Sequence, residues 1–186
     1  MGIAENSIGL IAGGFKPFTA GHYNLVQKAS SECSTVKLFV STGDRKRTGE
    51  RAIVWNQMKP IWERYIGPSI TALGNVEIHY VSQPIRSIYE LLIAANEEQS
   101  NNALYRVYSD PDDIGNCYSD NVQMKYWARL VANQQIVMRP ISREETAGIS
   151  GTVMRKALAK GDMSGFISGL PAPVRIHGTD IFNSLT

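Results

Sequence analysis

The stretch from Ile8 to Ala29, I-G-L-I-A-G-G-F-K-P-F-T-A-G-H-Y-N-L-V-Q-K-A, leaves the fold little freedom. Ile8 to Ala12 is a short apolar run bounded by Gly13 and Gly14, the pattern of a buried strand that ends in a tight turn. After Pro17 the apolar period lengthens to about 3.6 residues, so His22, Leu25, Val26 and Ala29 share one helical face. Thr19 stands where that helix begins, and its hydroxyl is placed to cap backbone N–H groups. A strand, a glycine turn and a helix start in that order build a site for phosphate. The backbone donors point outward, the helix dipole favours an anion, and glycine admits close approach. Lys16 and His22 add a cation and a titratable donor at the same mouth.

The rest of the chain alternates strands and helices without an internal repeat. Val36 to Ser41, Val76 to Val81 and Leu104 to Ser109 read as strands two, three and four, and Ile136 to Met138 as a brief fifth. Helices are expected over Glu50 to Ile66, stopping before Gly67-Pro68, then over Ile85 to Asn96 behind Pro84, and from an Asp120 cap through Leu130. A last helix runs from Ser150 to Lys160 and ends at Gly161. Strands separated by helices of this length imply right-handed βαβ crossovers and a parallel sheet covered on both faces, a doubly wound α/β fold.

Composition narrows the function classes. The 186 residues suit one compact domain spanning 1–186, with 43% hydrophobic and 19% charged residues. A net charge of only +2 gives no global attraction to a polyanion, so no nucleic-acid partner is expected and any anion site is local. Cys33 and Cys117 lack metal-ligand spacing and read as free thiols in a reducing compartment, which makes the expected location cytoplasmic. The opening M-G-I-A-E-N has neither the charged region nor the apolar run of a secretion leader, and Asn6 stands where an acylation signal needs Ser or Thr. No run approaches the roughly 18 apolar residues of a membrane span, so no membrane partner is expected either.

Two motifs at opposite ends of the chain carry a family resemblance. G-G-F-K-P-F-T-A-G-H, residues 13–22, resembles the first signature of the (H/T)-x-G-H nucleotidyltransferase superfamily. Its members include nicotinamide-mononucleotide and phosphopantetheine adenylyltransferases and the small cytidylyltransferases. Ile149-Ser150-Gly151-Thr152-Val153-Met154-Arg155 is similar to the second signature, I-S-x-T-x-x-R. The resemblance implies a five-stranded Rossmann-like sheet in the order 3-2-1-4-5. In that order the sheet reverses between strands one and four, which is where open α/β sheets bind ligands. Gly13 to Thr19, Asp110, the basic run Arg45, Lys46, Arg47 and Arg51, and the Ser150 helix start would then meet on one edge.

The resemblance also implies roles. Transfer of a nucleotidyl group from ATP or CTP to a small phosphorylated acceptor, with release of pyrophosphate, is helped mainly by alignment and fixed positive potential. His22 would donate to the α-phosphate, Thr19 would contact the same group, and Lys16 would span donor and acceptor phosphates. Gly13, Gly14, Phe15 and Gly21 of the first signature, Asp110, and Ile149, Ser150, Gly151 and Thr152 of the second would hold the nucleotide, with Arg155 on its outer phosphates. Arg45, Lys46, Arg47, Arg51, Arg139 and Arg143 are candidates for acceptor or phosphate binding. Mg²⁺ is expected to arrive with the triphosphate, held by phosphate oxygens and water, with no dedicated protein site. A homo-oligomer is compatible with this reading.

Other readings compete at single residues. His22 alone on an inner helix face reads as a core histidine, and Asp110-Pro111 as a turn. Tyr108-Ser109-Asp110 lacks the glycine that many relatives carry two residues before that Asp. His79 reads as structural, and Trp55, Trp62 and Trp127 as core. A class I aminoacyl-tRNA synthetase fragment would share the first signature but not I-S-G-T. A non-catalytic nucleotide sensor of the same fold remains the main alternative, distinguished by loss of the charged residues that this chain retains. The first signature shares F-x-P-F and G-H with one nicotinamide-mononucleotide adenylyltransferase group, though Gly14 replaces that group's Arg and Thr19 its first His.

Overall fold

Five parallel strands organise the chain: β1 (Ser7–Gly13), β2 (Thr35–Ser41), β3 (Val76–Val81), β4 (Leu104–Ser109) and β5 (Ile136–Pro140). Their spatial order is β3-β2-β1-β4-β5, the doubly wound arrangement that the two signatures imply. The computed structural model describes residues 6–146 and 149–186, the Arg143 side chain excepted. Residues 1–5, read above as neither leader nor acylation signal, lie outside the described residues, as does the Arg143 side chain.

Alternation along each strand divides the core in two. Ile11, Leu38 and Val40 face α1 (Ala20–Glu32), the helical segment of residues 55–71 and the C-terminal helices. Leu10, Phe39 and Val107 face the other way, against α4 (Pro84–Glu97) and the helices that follow β4. In register, Ile11 pairs with Leu38 on one side and Tyr108 on the other. With each fully buried Leu, Ile or Phe contributing about 1.5–3 kcal/mol, both faces must be covered for the sheet to persist.

Three helical expectations change. The helix expected from Glu50 starts at Trp55, as α2 (Trp55–Ile61), because residues 44–54 form a loop bridged by Arg45 and Ile53. It also runs past Gly67-Pro68, through one π turn (Trp62–Ile66) into α3 (Gly67–Thr71). Pro68 has no N–H to offer, and the wider turn lets the Gly67 N–H bond the Trp62 carbonyl instead. A Cβ on Gly67 would stand 2.7 Å from that carbonyl oxygen, so the turn depends on glycine.

After β4, Asp110 starts a helix rather than a free turn. Its carboxylate caps α5 (Pro111–Cys117) by accepting the Asp113 N–H at 2.8 Å. The helix expected from Asp120 through Leu130 breaks at Trp127 into α6 (Asp120–Tyr126) and α7 (Ala128–Ala132). The Trp127 backbone leaves the helical region while its ring is fully buried, and Asn96 Oδ1 accepts the Arg129 and Leu130 N–H groups. β5 extends to Pro140, tolerated there because an edge strand does not need that N–H. α8 (Arg143–Thr146) and α9 (Gly151–Lys160) follow.

Beyond Gly161 the chain continues as α10 (Met163–Ser168), a 3₁₀ turn (Ala172–His177) and α11 (Gly178–Leu185). Ile181, Phe182 and Leu185 close the core beside α2. Among the described residues no helix is long and apolar enough to cross a membrane.

Candidate active site

The sheet reverses between β1 and β4, and the chain leaves these two strands in opposite directions, opening a cleft at their carboxyl ends. One cavity there, of about 250 Å³, is bounded by Gly13, Gly14, Phe15, Thr19, Gly21 and His22 on one side. Asp110 and the Ile149–Gly151 start of α9 close the other. A second cavity, of about 370 Å³, continues past Lys16 to Asp44, Arg45, Thr152 and Arg155. Gly14, Phe15, His22, Ser150 and Gly151 wall both. The two signatures, far apart in sequence, therefore face one continuous cleft.

The glycine turn is shaped by Phe15, whose φ of 48° lies in the left-handed region that an aromatic residue seldom occupies. Its ring lies over Gly13, where a Cβ would come within 2.5 Å of it. Gly13 is thus glycine to admit the ring of Phe15.

His22 is oriented by a reciprocal cap. The Thr19 N–H donates to His22 Nδ1 at 3.0 Å, and the His22 N–H donates to Thr19 Oγ1 at 3.2 Å. This is a capping box with imidazole in the place usually held by Glu or Gln. With Nδ1 accepting, a neutral imidazole carries its proton on Nε2. Phe15 packs on the ring edge-on at 4.9 Å and Phe18 at 5.6 Å. Thr19 itself is 2% exposed, so its hydroxyl serves the helix start and the aim of His22. The Ala20 N–H is also committed, to the Gly169 carbonyl at 2.8 Å. Two of the first three α1 donors are therefore bonded within the protein.

Lys16 is 5% exposed and reaches inward, with Nζ donating to the Gly14 and Ser41 carbonyls at 3.0 and 2.5 Å. The ammonium lies 5.4 Å from the Trp55 ring centre, a cation–π contact. Burial pulls its pKa down to about 8, against the opposing pull of Asp44.

α9 presents the second signature. Ser150 caps it by accepting the Val153 N–H at 3.3 Å. That leaves the Gly151 and Thr152 amides at a helix start facing the cleft, where the dipole favours an anion. Arg155 sits deeper than its motif suggests. It is 5% exposed, and its guanidinium donates to Glu50, to the Lys16 carbonyl and to Thr152 Oγ1 at 2.6, 2.8 and 2.9 Å.

The basic candidates divide. Arg45 lines the second cavity, and burial, then repulsion from Arg155 and Arg47, lowers its pKa. Lys46 is exposed and paired with Asp44 at 3.3 Å, and Arg47 is exposed. Arg51 is turned away, donating to the backbone oxygens of Leu185 and Thr186. Arg139 is also turned away: its Nη2 pairs with Glu32 at 3.0 Å, at the far end of α1. Neither residue lines the cleft, because strand pairing aims Arg139 along the α1 side beside Tyr108.

Further residues beside the two signatures belong to the cleft. Tyr108, Ser109, Asp113 and Ile141 line the first cavity, and burial together with Asp110 raises the Asp113 carboxyl. Leu25 was visible only as a core position on the His22 face of α1. Glu50 carried no signal of a role in the site, since its partner Arg155 is 105 residues away in the second signature. Among the described residues no group of three or more His, Cys, Asp or Glu side chains is gathered in a metal-binding arrangement.

Residues 8–87 match the family model of the citrate lyase ligase C-terminal domain. Nicotinic acid mononucleotide adenylyltransferase of Plasmodium falciparum, solved with NaAD, has a similar fold at 15% identity and a TM-score of 0.58, over 96% of this chain and 97% of that one. The bifunctional NMN adenylyltransferase/ADP ribose pyrophosphatase of Francisella tularensis is similar at 13% identity and a TM-score of 0.59, over 97% of this chain. Thermotoga maritima TmcAL, solved with alpha-thio ATP, is similar at 11% identity and 0.56, over 96% of this chain. The alignments span 52% and 56% of those last two proteins. No curated protein sequence matches the chain significantly. The chain thus shares its fold with these nucleotidyltransferases, the family match covers the first signature, and the second signature stands on the same cleft.

Proposed function

We propose that this protein is an adenylyltransferase-like enzyme that moves a nucleotidyl group from a nucleoside triphosphate to a small phosphorylated acceptor and releases pyrophosphate. The observation that carries this reading is the common wall of the two cavities, where His22 of one signature meets Ser150 and Gly151 of the other. An acceptor phosphate oxygen attacks the α-phosphorus, the bond to the bridging oxygen breaks, and charge develops on the departing pyrophosphate. The α9 amides hold the outer phosphates, and His22 donates to the α-phosphate or the bridge from Nε2. Lys16 contributes fixed positive potential from beneath the turn, and Arg45 does so from the rim. Mg²⁺ enters as part of the triphosphate substrate, bound by phosphate oxygens and water.

ATP is the donor favoured by the neighbours, one solved with NaAD and another with alpha-thio ATP. A mononucleotide acceptor is the class favoured by the adenylyltransferase neighbours. The test is a pyrophosphate-release screen of ATP, CTP, UTP and GTP, with Mg²⁺, against phosphorylated acceptors and, for contrast, carboxylate acceptors. Release confined to ATP with a phosphorylated acceptor supports the reading. Release only with carboxylates, or nucleotide binding without release under any pairing, refutes it.

A further inference from the structure

The Arg155 guanidinium belongs to the cleft wall and yet faces the protein. Its Nε donates to Glu50 Oε2 at 2.6 Å, Nη1 to the Lys16 carbonyl at 2.8 Å and Nη2 to Thr152 Oγ1 at 2.9 Å. The two charged side chains are only 6% and 11% exposed. An ionised group this buried is stable when paired and hydrogen-bonded, and costly when its partner is removed. The neighbouring glycine fits the same arrangement. A Cβ on Gly151 would stand 2.8 Å from Arg155 Nη1 and 4.0 Å from the Lys16 oxygen, in space that the guanidinium uses. The variable position of I-S-x-T is therefore filled here by the residue that lets Arg155 fold inward across the helix start.

Glu50 is delivered from a braced loop. Arg45 and Ile53 exchange backbone hydrogen bonds at 2.8 and 2.9 Å, and the Trp55 N–H donates to Asp44 Oδ1 at 2.9 Å. Bonding to Arg155 holds the Glu50 carboxyl below its usual range, with Arg45 and Arg47 adding to the effect. Without the carboxylate, Arg155 would be left beside Arg45 with like charge against like, and turning toward water would relieve both.

We propose that Glu50 is a positioning residue for nucleotidyl transfer: it keeps Arg155 turned inward as a strut that fixes the Lys16 turn against the start of α9. This rests on the function proposed above. Arg155 then acts on the reaction through the Lys16 backbone and the α9 amides, and the phosphates are met by those groups rather than by the guanidinium.

The test compares Glu50→Ala with Glu50→Gln, which keeps an acceptor for Nε. In steady-state pyrophosphate release, Glu50→Ala should lower kcat by roughly 10- to 100-fold, the scale of a small misplacement of reacting groups. KM for ATP should stay within about twofold, since no phosphate contact is lost. Glu50→Gln should recover most of the rate. A second readout needs no turnover: labelling of Lys16 by an amine-acylating reagent across pH, read by mass spectrometry of its peptide. The wild-type midpoint should lie near 8. In Glu50→Ala it should rise by about one unit toward the ordinary lysine range as the turn loosens.

An unchanged kcat with an unchanged labelling midpoint overturns the proposal. So does a rise of about tenfold or more in KM for ATP at constant kcat, the mark of a lost phosphate ligand. Should the wild-type protein turn over no donor and acceptor pair, the function reading fails, and the labelling midpoint still decides whether Glu50 holds the Lys16 turn.

Discussion

On the proposed mechanism His22 has two tasks that a pair of substitutions separates. As the third residue of α1 it accepts the Thr19 N–H at 3.0 Å, and on the proposed mechanism it donates to the α-phosphate from the opposite nitrogen. His22→Ala removes both. Losing a cap interaction costs about 1 kcal/mol of stability, and losing a donor to developing charge costs about 2.7–4 kcal/mol of barrier, or roughly 10²–10³ in rate. His22→Glu restores the usual acidic partner of a Thr cap, and a negative side chain in the first turn also suits the helix dipole. Its stability should stay within about 0.5 kcal/mol of wild type in denaturant unfolding. Its transfer rate should fall at least as far as that of His22→Ala, because a carboxylate replaces a donor beside phosphate. Pyrophosphate release at fixed saturating substrates gives the comparison. A His22→Glu protein that retains a tenth or more of the wild-type rate would refute the assignment, since a competent helix cap would then suffice.

Three further outcomes follow from the geometry. Lys16 titrates near 8 because it is buried, so the transfer rate should fall as pH rises through about 8 and the positive charge is lost; Lys16→Met should be slow and lack that limb. The sign for stability is opposite: the folded pKa lies below the unfolded value of 10.5, the unfolded chain binds more protons between the two, and stability should rise with pH across that window relative to Lys16→Met. Gly67→Ala places a Cβ 2.7 Å from the Trp62 carbonyl and should destabilise the protein by about 1–3 kcal/mol in denaturant unfolding, with KM for ATP unchanged, since no residue of the π turn lines either cavity.

How much could be read from sequence depended on the range of the interaction involved. β1 and α1 were legible because an apolar run, two glycines and a change of period are all local. The loop of residues 44–54 was not, because Ile53 fits a helical stripe with Met58 and Ile61 although it is buried as part of a bridge to Arg45. Gly67-Pro68 reads as a stop by local rules, and only the π turn explains how the helix passes it. The α11 apolar positions Ile181, Phe182 and Leu185 recur at a helical period, which is again a local signal.

Within the site, both signatures were legible as motifs, but the orientation of their charged residues was not. Arg155 finds Glu50, and Arg139 finds Glu32, across separations that no spacing rule covers. Strand pairing decides the second case, since it fixes which face of β5 each side chain leaves from.

Nucleotidyl transfer as proposed needs one cleft to hold one triphosphate between the starts of α1 and α9. The most direct test is a crystal structure of the protein with Mg²⁺ and a non-hydrolysable α,β-methylene analogue of ATP. The α-phosphate should lie within hydrogen-bond reach of His22 Nε2, the outer phosphates on the Gly151 and Thr152 amides, and Arg155 should stay bonded to Glu50 and the Lys16 carbonyl. A triphosphate seated away from the α9 start, or an Arg155 swung out onto the phosphates, would contradict that arrangement.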